Sequence, residues 1–220
     1  MTDLGRRAAV HAALADPARL RITDALADGD ASPSELAGML AMPSNLFAHH
    51  MKVLEEAGLV ARRRSDGDRR RTYLGLVPGA LDTPGGPGPR VAQRVLFVCT
   101  ANSARSHLAA ALWNRASVVP AASAGTHPAA VIDPGAVAAA RRNRLPLPQR
   151  RPRHLSKVRD DGDLIVTVCD LAHEELGGLA PVHWSVPDPV VAGDPASFDA
   201  VLSELSRRVG LLAPRLASAS

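Results

Sequence analysis

At 220 residues, 46% of them hydrophobic, the chain exceeds one average domain and can bury the cores of two modest ones. Its two cysteines exclude a disulfide framework, and a reducing compartment would leave both thiols available for chemistry; the net charge of +4 is small, but the arginines are unevenly placed, and clustering matters more than the sum for nucleic-acid contact. The start, Met1-Thr2-Asp3-Leu4-Gly5-Arg6-Arg7, has no apolar signal-peptide core and no apolar run approaches a membrane span, so a soluble cytoplasmic protein with no membrane partner is expected.

Arg6 to Leu14 reads as a short helix, and Asp16-Pro17 caps a second over Ala18 to Ala27, where Leu20, Ile22, Ala25 and Leu26 are apolar at near-helical spacing. Ser32-Pro33-Ser34-Glu35 is a capping box opening a helix through Leu40. After a turn at Ala41-Met42-Pro43 the next helix runs from Ser44 to Ala57 and stops at Gly58. Two short helices joined by a tight turn, the second polar, form a helix-turn-helix pattern. Leu59 to Arg64 and Arg70 to Leu76 then read as strands joined by Ser65-Asp66-Gly67-Asp68. Arg62, Arg63, Arg64, Arg69, Arg70 and Arg71 decorate this hairpin, and on a helix-turn-helix such a hairpin is a wing laid along the DNA backbone.

Three stretches, Ala15-Asp16-Pro17-Ala18-Arg19-Leu20, His50 to Val60, and the wing, resemble the ArsR/SmtB family of winged-helix repressors over residues 5 to 78. The resemblance implies a double-stranded DNA operator as partner. It puts Ser44, Asn45, Ala48, His49 and Lys52 at base- and phosphate-facing positions of the reading helix. Of His49 and His50, one is expected at the seam with the body and the other in solvent, because adjacent helical positions do not share a face. The first ninety residues hold no cysteine, and Val77-Pro78-Gly79, not a helix, follows the wing, so neither familiar metal-sensing ligand set is present and no metal is expected. A homodimer would have to use the first helix or the other domain.

Pro84-Gly85-Gly86-Pro87-Gly88-Pro89 marks a domain boundary, giving a winged helix over 1–80, a Pro/Gly linker over 81–92 and a second domain over 93–220. The second domain alternates signals: strand Val95 to Val98, helix Ser106 to Arg115, strand Ala121 to Ala124, and a helix from Asp133-Pro134 to Asn143. Strand Leu164 to Val168, a helical stretch around Ala172 to Leu176, and a helix from Asp194-Pro195 follow. Phe198, Val201, Leu202, Leu205, Val209 and Leu212 share a face of the last. The fold class is therefore a mostly α winged helix with a β-hairpin wing, followed by an α/β domain on a parallel sheet.

The chemistry gathers where the first of those strands hands over to a helix, at Cys99-Thr100-Ala101-Asn102-Ser103-Ala104-Arg105-Ser106. Backbone N–H groups at such a junction can converge on one oxyanion, helped by the helix dipole, and their field favours an anionic sulfur. Arg105 can hold two oxygens of a tetrahedral anion in a fork, and Ser106 can donate to the sulfur. Thr100, Ala101, Asn102, Ser103, Ala104 and Ser106 make up the oxyanion-binding set.

With Asn102 and Ser106 in place, this stretch resembles the signature loop of the low-molecular-weight protein tyrosine phosphatases, a family that includes thiol-coupled arsenate reductases. The resemblance implies Cys99 as nucleophile, Arg105 as anion holder and Asp188, in an Asp-Pro loop after a late strand, as general acid; Ser123-Ala124-Gly125-Thr126 would support the loop. Three functions share this apparatus: arsenate reduction, phosphomonoester hydrolysis, and oxyanion sensing without turnover. Val190-Val191-Ala192-Gly193 follows Asp188 where phosphatases of the family place aromatic residues, which favours a small anion, arsenate or phosphate. Cys169 resembles the second cysteine of thioredoxin-coupled reductases, and reads equally as a buried strand-end residue. The third cysteine of that relay is Leu176 here, so an internal three-cysteine cascade is excluded. A reductase of this type has no tightly bound cofactor and takes an external thiol donor: mycothiol, or a redoxin of the glutaredoxin or thioredoxin type.

Overall fold

The computed structural model describes residues 3–80 and 90–218, which divide into two compact units, the first of residues 3–65 and 69–80 and the second of residues 66–68 and 90–218. The boundary run Pro84 to Pro89 lies outside the described residues.

The first unit has four helices, α1 (Asp3–Leu14), α2 (Pro17–Leu26), α3 (Pro33–Met39) and α4 (Ser44–Glu56), then a hairpin of β1 (Val60–Arg64) and β2 (Thr72–Leu76). Asp16 caps α2 by accepting from the N–H groups of Ala18 and Arg19, at 2.8 and 3.1 Å. Ser32 and Glu35 form the expected capping box on α3. The turn into α4 passes through Ala41 at φ +50°, and α4 ends at Gly58 at φ +69°. The hairpin is antiparallel, with Val60 opposite Leu76 and Arg64 opposite Thr72. Ile22, Leu36, Met51, Leu54, Leu59 and Leu74 fill the core beneath it.

The second unit carries β3 (Arg90–Ala92), β4 (Arg94–Cys99), α5 (Arg105–Ala116), β5 (Ala121–Gly125) and α6 (Pro134–Arg142). Then come β6 (Asp163–Thr167), α7 (Asp170–Leu176), β7 (Val182–His183), α8 (Pro189–Ala192), α9 (Pro195–Leu212) and β8 (Leu216–Ser218). The main sheet has the order β5-β4-β6-β7 and every pair is parallel, so the strands' carboxyl ends, and the loops leaving them, share one edge. Central β4 is buried from Val95 to Cys99, as a strand covered on both faces must be. Phe97 packs between the rings of Trp113 and Trp184, and the apolar face of α9 closes the core. At the opposite edge Arg94 forks onto Asp163, with both contacts at 2.7 Å, fixing the β4/β6 register.

The linker expected through residue 92 ends sooner. Arg90–Ala92 forms β3, which pairs in parallel with β8. Only the fold reveals this, because each three-residue segment carries almost no pattern and is ordered by a partner at the far end of the unit.

Candidate active site and nucleic-acid face

Cys99 is the last residue of β4 and Arg105 the first of α5, so the loop between them follows from where the strand stops and the helix starts. Four of its carbonyls are taken up by the segment that follows β5. Those of Cys99, Thr100, Ala101 and Ser103 accept from the N–H groups of Thr126 (3.2 Å), His127 (2.8 Å), Ala129 (2.9 Å) and Asp133 (2.9 Å). The loop's own N–H groups from Ala101 to Ser106 give to no backbone carbonyl among the described residues, which leaves them for an anion. The turn is made by Asn102 at φ +46°, a left-handed conformation that asparagine tolerates better than most residues. Gly125 backs it closely: a Cβ there would stand 2.6 Å from the Thr100 carbonyl oxygen and 2.9 Å from Asn102 Cβ.

The polar network beneath the loop has a definite direction. Asn102 Oδ1 accepts from the Arg153 N–H at 2.8 Å, which identifies Nδ2 as the donor end. Nδ2 then gives one proton to Ser106 Oγ (2.8 Å) and the other to Ser123 Oγ (3.0 Å). Ser106 Oγ keeps its own proton and lies 3.1 Å from Cys99 Sγ, placed to donate to it when the sulfur is ionised. A hydroxyl donating to sulfur is the arrangement a thiolate nucleophile needs.

Arg105 is buried and spans the site. One nitrogen donates to the Val186 carbonyl at 3.0 Å and another to Asp188 Oδ2 at 2.7 Å, while its remaining N–H groups are left for an anion. Asp188 also caps α8, accepting from the Val190 N–H at 3.1 Å. The three residues expected to share one chemistry are thus brought together, with an ion pair between Arg105 and Asp188 that the sequence did not foreshadow.

Cys169 reaches the same loop. Its Sγ accepts from the Thr100 N–H at 3.2 Å and lies 3.4 Å from Thr100 Oγ1. Burial pushes its thiol up to about 11, and negative charge on Cys99 adds to that, against the opposing pull of Arg105 and the Thr100 bond. At neutral pH Cys169 is therefore a thiol.

Two groups were not legible beforehand. His107, fully buried behind the loop, lies 3.4 Å from Ser123 Oγ through Nδ1; burial lowers its pKa to about 4, so the ring is neutral. Thr167 Oγ1 lies 3.2 Å from His173 Nδ1 and 3.0 Å from His183 Nδ1, and the two imidazoles stack 4.1 Å apart. His183 Nε2 meets Asp170 Oδ1 at 3.1 Å. Burial raises the Asp170 pKa, but bonds from His183 and Ser185 outweigh it and hold the carboxyl at about 2. Only Thr167 and Asp170, flanking Cys169, lie near a motif in sequence; the histidines are gathered by the sheet.

In the first unit Ser44, Asn45, Ala48, His49 and Lys52 are all exposed along α4, while Phe47, His50, Met51 and Leu54 are buried. His50 Nδ1 sits 3.9 Å from Asp16 Oδ1, and His49 faces solvent, so the pair divides as expected. On the hairpin Arg64, Arg69, Arg70 and Arg71 are exposed. Arg62, also exposed, is engaged by Glu55 at 2.6 Å, and Arg63 is half-buried. Among the described residues no helix is long and apolar enough to cross a membrane. No cluster of three or more His, Cys, Asp or Glu suited to a metal ion occurs among them either.

Residues 94–219 match the family model described as low molecular weight phosphotyrosine protein phosphatase, and residues 14–63 match a helix-turn-helix domain. No curated protein matches the chain. Among solved structures, an arsenate reductase from Archaeoglobus fulgidus DSM 4304 is 33% identical, with 55% of this chain and 98% of that one covered and a TM-score of 0.48. A low molecular weight protein tyrosine phosphatase from T. tengcongensis is 22% identical, covering 57% and 100%, at a TM-score of 0.50. Wzb of Vibrio vulnificus, in complex with benzylphosphonate, is 20% identical, covering 57% and 99%, at 0.50. The last two show the fold of the second unit.

Proposed function

Because the chain belongs to the low molecular weight phosphotyrosine protein phosphatase family, we propose that its second unit attacks a tetrahedral oxyanion with the Cys99 thiolate, and that the anion is arsenate. The first unit, in this reading, is an ArsR-like repressor that binds a double-stranded operator through α4 and the hairpin, as a homodimer, in the cytoplasm. The observation that carries the reductase reading is the second thiol on the loop, Cys169 Sγ at 3.2 Å from the Thr100 N–H. Val190 and Val191 beside Asp188 support it, since they supply no aromatic ring to grip a phosphotyrosine.

Arg105 turns from Asp188 to the bound anion, and Asp188 enters the step protonated; Cys99 Sγ attacks arsenic while Arg105 and the loop N–H groups hold the oxygens, and Asp188 gives its proton to the departing hydroxide, which leaves as water. A second thiolate then attacks Cys99 Sγ. A sulfur–sulfur bond forms, the sulfur–arsenic bond breaks with its electron pair on arsenic, arsenic(V) becomes arsenic(III), and arsenite departs. Cys169 supplies that sulfur after losing its proton, or an external thiol does so directly. Either disulfide is returned to thiols by a donor of the mycothiol, glutaredoxin or thioredoxin type.

The test is arsenite formation from arsenate by the full chain with each donor, beside Cys99→Ser, which is expected to abolish it. Phosphomonoester hydrolysis is the second reading, favoured by the family model. Cys99-dependent release of phosphate from an aryl phosphate, without arsenite from any donor, would establish it. Silence in both assays, with DNA affinity altered by arsenate or phosphate, would leave an oxyanion sensor.

A further inference from the structure

Between Asp133 and Asp160 the chain has no carboxylate, and every charged residue from Arg141 to Arg159 is cationic. Arg141, Arg142, Arg144, Arg150, Arg151, Arg153, Lys157 and Arg159 are all exposed. Arg142 pairs with Asp199 at 2.6 Å, and Arg153 is tied to the loop network through its N–H and to the Lys157 carbonyl through its guanidinium. Arg141, Arg144, Arg150, Arg151, Lys157 and Arg159 have no carboxylate partner among the described residues.

Local stability does not account for these charges. Arg141 and Arg142 end α6, where cations offset the helix dipole, but the others lie beyond it. Arg144 stands just past the α6 C-cap, at φ +53°, a position where glycine or asparagine is the usual choice. An arginine kept in that backbone conformation retains a guanidinium at a conformational cost. Pro146, Pro148 and Pro152 then fix φ along the segment, so its arginines need less ordering to meet a regular array of charges.

We propose that the exposed cationic side chains of residues 141–159 are a second DNA-backbone contact, located on the enzymatic unit and separate from the helix-turn-helix; the segment meets the oxyanion loop through the Arg153 N–H, which the contact does not use. This goes beyond the function proposed above and rests on its reading that the chain binds DNA. A polyanion with closely spaced phosphates matches unpaired arginines better than a single small anion does, because each neutralised phosphate releases counterions. Duplex DNA is favoured over an acidic protein because the same chain carries a helix-turn-helix domain. A duplex held there is presented to the rest of the chain at up to ~mM effective concentration.

The experiment is a salt titration of full-chain binding to a fluorescent duplex, from about 50 to 200 mM salt. The parent is compared with a variant carrying Arg144→Gly, Arg150→Ala, Arg151→Ala and Arg159→Ala, the glycine preserving the left-handed backbone. We expect the slope of log K against log salt to fall by about 2 to 3, on ~0.9 per phosphate contact, with Cys99-dependent turnover unchanged as proof that the unit is folded. An unchanged slope with parental affinity overturns this inference and leaves the wing reading intact. A parent that binds no duplex overturns both. A loss seen only against an acidic phosphopeptide assigns the segment to protein substrates and overturns the nucleic-acid reading.

Discussion

The loop from Cys99 to Ser106 and the hairpin from Val60 to Leu76 both offer cationic and N–H groups to anions, and they do so by opposite means. The loop is largely buried, with Cys99, Asn102, Ala104, Arg105 and Ser106 buried and Thr100, Ala101 and Ser103 half-buried. Its one arginine is buried, and its amide and hydroxyl partners are fixed by bonds of 2.8 to 3.1 Å. On the hairpin five arginines, Arg62, Arg64, Arg69, Arg70 and Arg71, are exposed on a short antiparallel scaffold, where solvent screens their fields. The difference teaches where to expect all-or-none behaviour. Removing one atom from the loop orphans several buried groups, whereas removing one arginine from the hairpin subtracts one weak contact among several.

The contrast is sharpest at Asn102→Ala. It leaves Ser106, Ser123 and the Arg153 N–H short of a partner and puts alanine at φ +46°. We expect Cys99-dependent turnover to fall about 100- to 1000-fold and urea unfolding to show a loss of about 2–4 kcal/mol. Parental turnover would show that the loop is held without this network.

His107→Leu tests the same buried region through pH. The folded pKa of about 4 lies below the ordinary value of 6.5, so the unfolded chain binds the extra proton between them. His107 therefore costs the native state nothing above about pH 6.5 and up to about 3 kcal/mol as pH falls toward 4. Thermal unfolding of the leucine variant should lose that part of the acid sensitivity. An identical pH profile for the two proteins would contradict a buried neutral imidazole.

The smallest effects belong to Arg69→Ala, Arg70→Ala and Arg71→Ala taken singly. Each should weaken duplex binding several-fold, by a similar factor on every sequence, lower the salt slope by at most about 0.9, and leave unfolding within about 0.5 kcal/mol. A loss confined to one sequence would instead give that arginine a base contact.

Much of this was legible in the chain. The capping box at Ser32 and Glu35, the Asp16-Pro17 cap, and the proline-opened helices at Asp133 and Asp194 are local hydrogen-bonding instructions, and each is carried out where it is written. The candidate site was half legible. Cys99, Asn102, Arg105 and Ser106 lie within one turn-sized stretch, so their convergence needs only a strand followed by a helix. Ser123, expected to support the loop, does so by accepting from Asn102, but Arg153 and His107, which complete and back that network, were not legible, because nothing local marks them as neighbours of the loop.

By itself, then, the sequence determined the helix starts and stops, the apolar strands of a parallel sheet, and the chemical character of the loop, since those depend on interactions spanning a few residues. Tertiary structure decided the rest. It made the Arg105–Asp188 ion pair, brought the Cys169 sulfur to the Thr100 N–H, stacked His173 on His183 and paired Arg90–Ala92 with Leu216–Ser218. Each of these joins segments that the parallel sheet, with its order β5-β4-β6-β7, or the closing of the unit's two ends, places side by side. Such proximity is set by packing and register over the whole unit, and no spacing of residues along the chain encodes it.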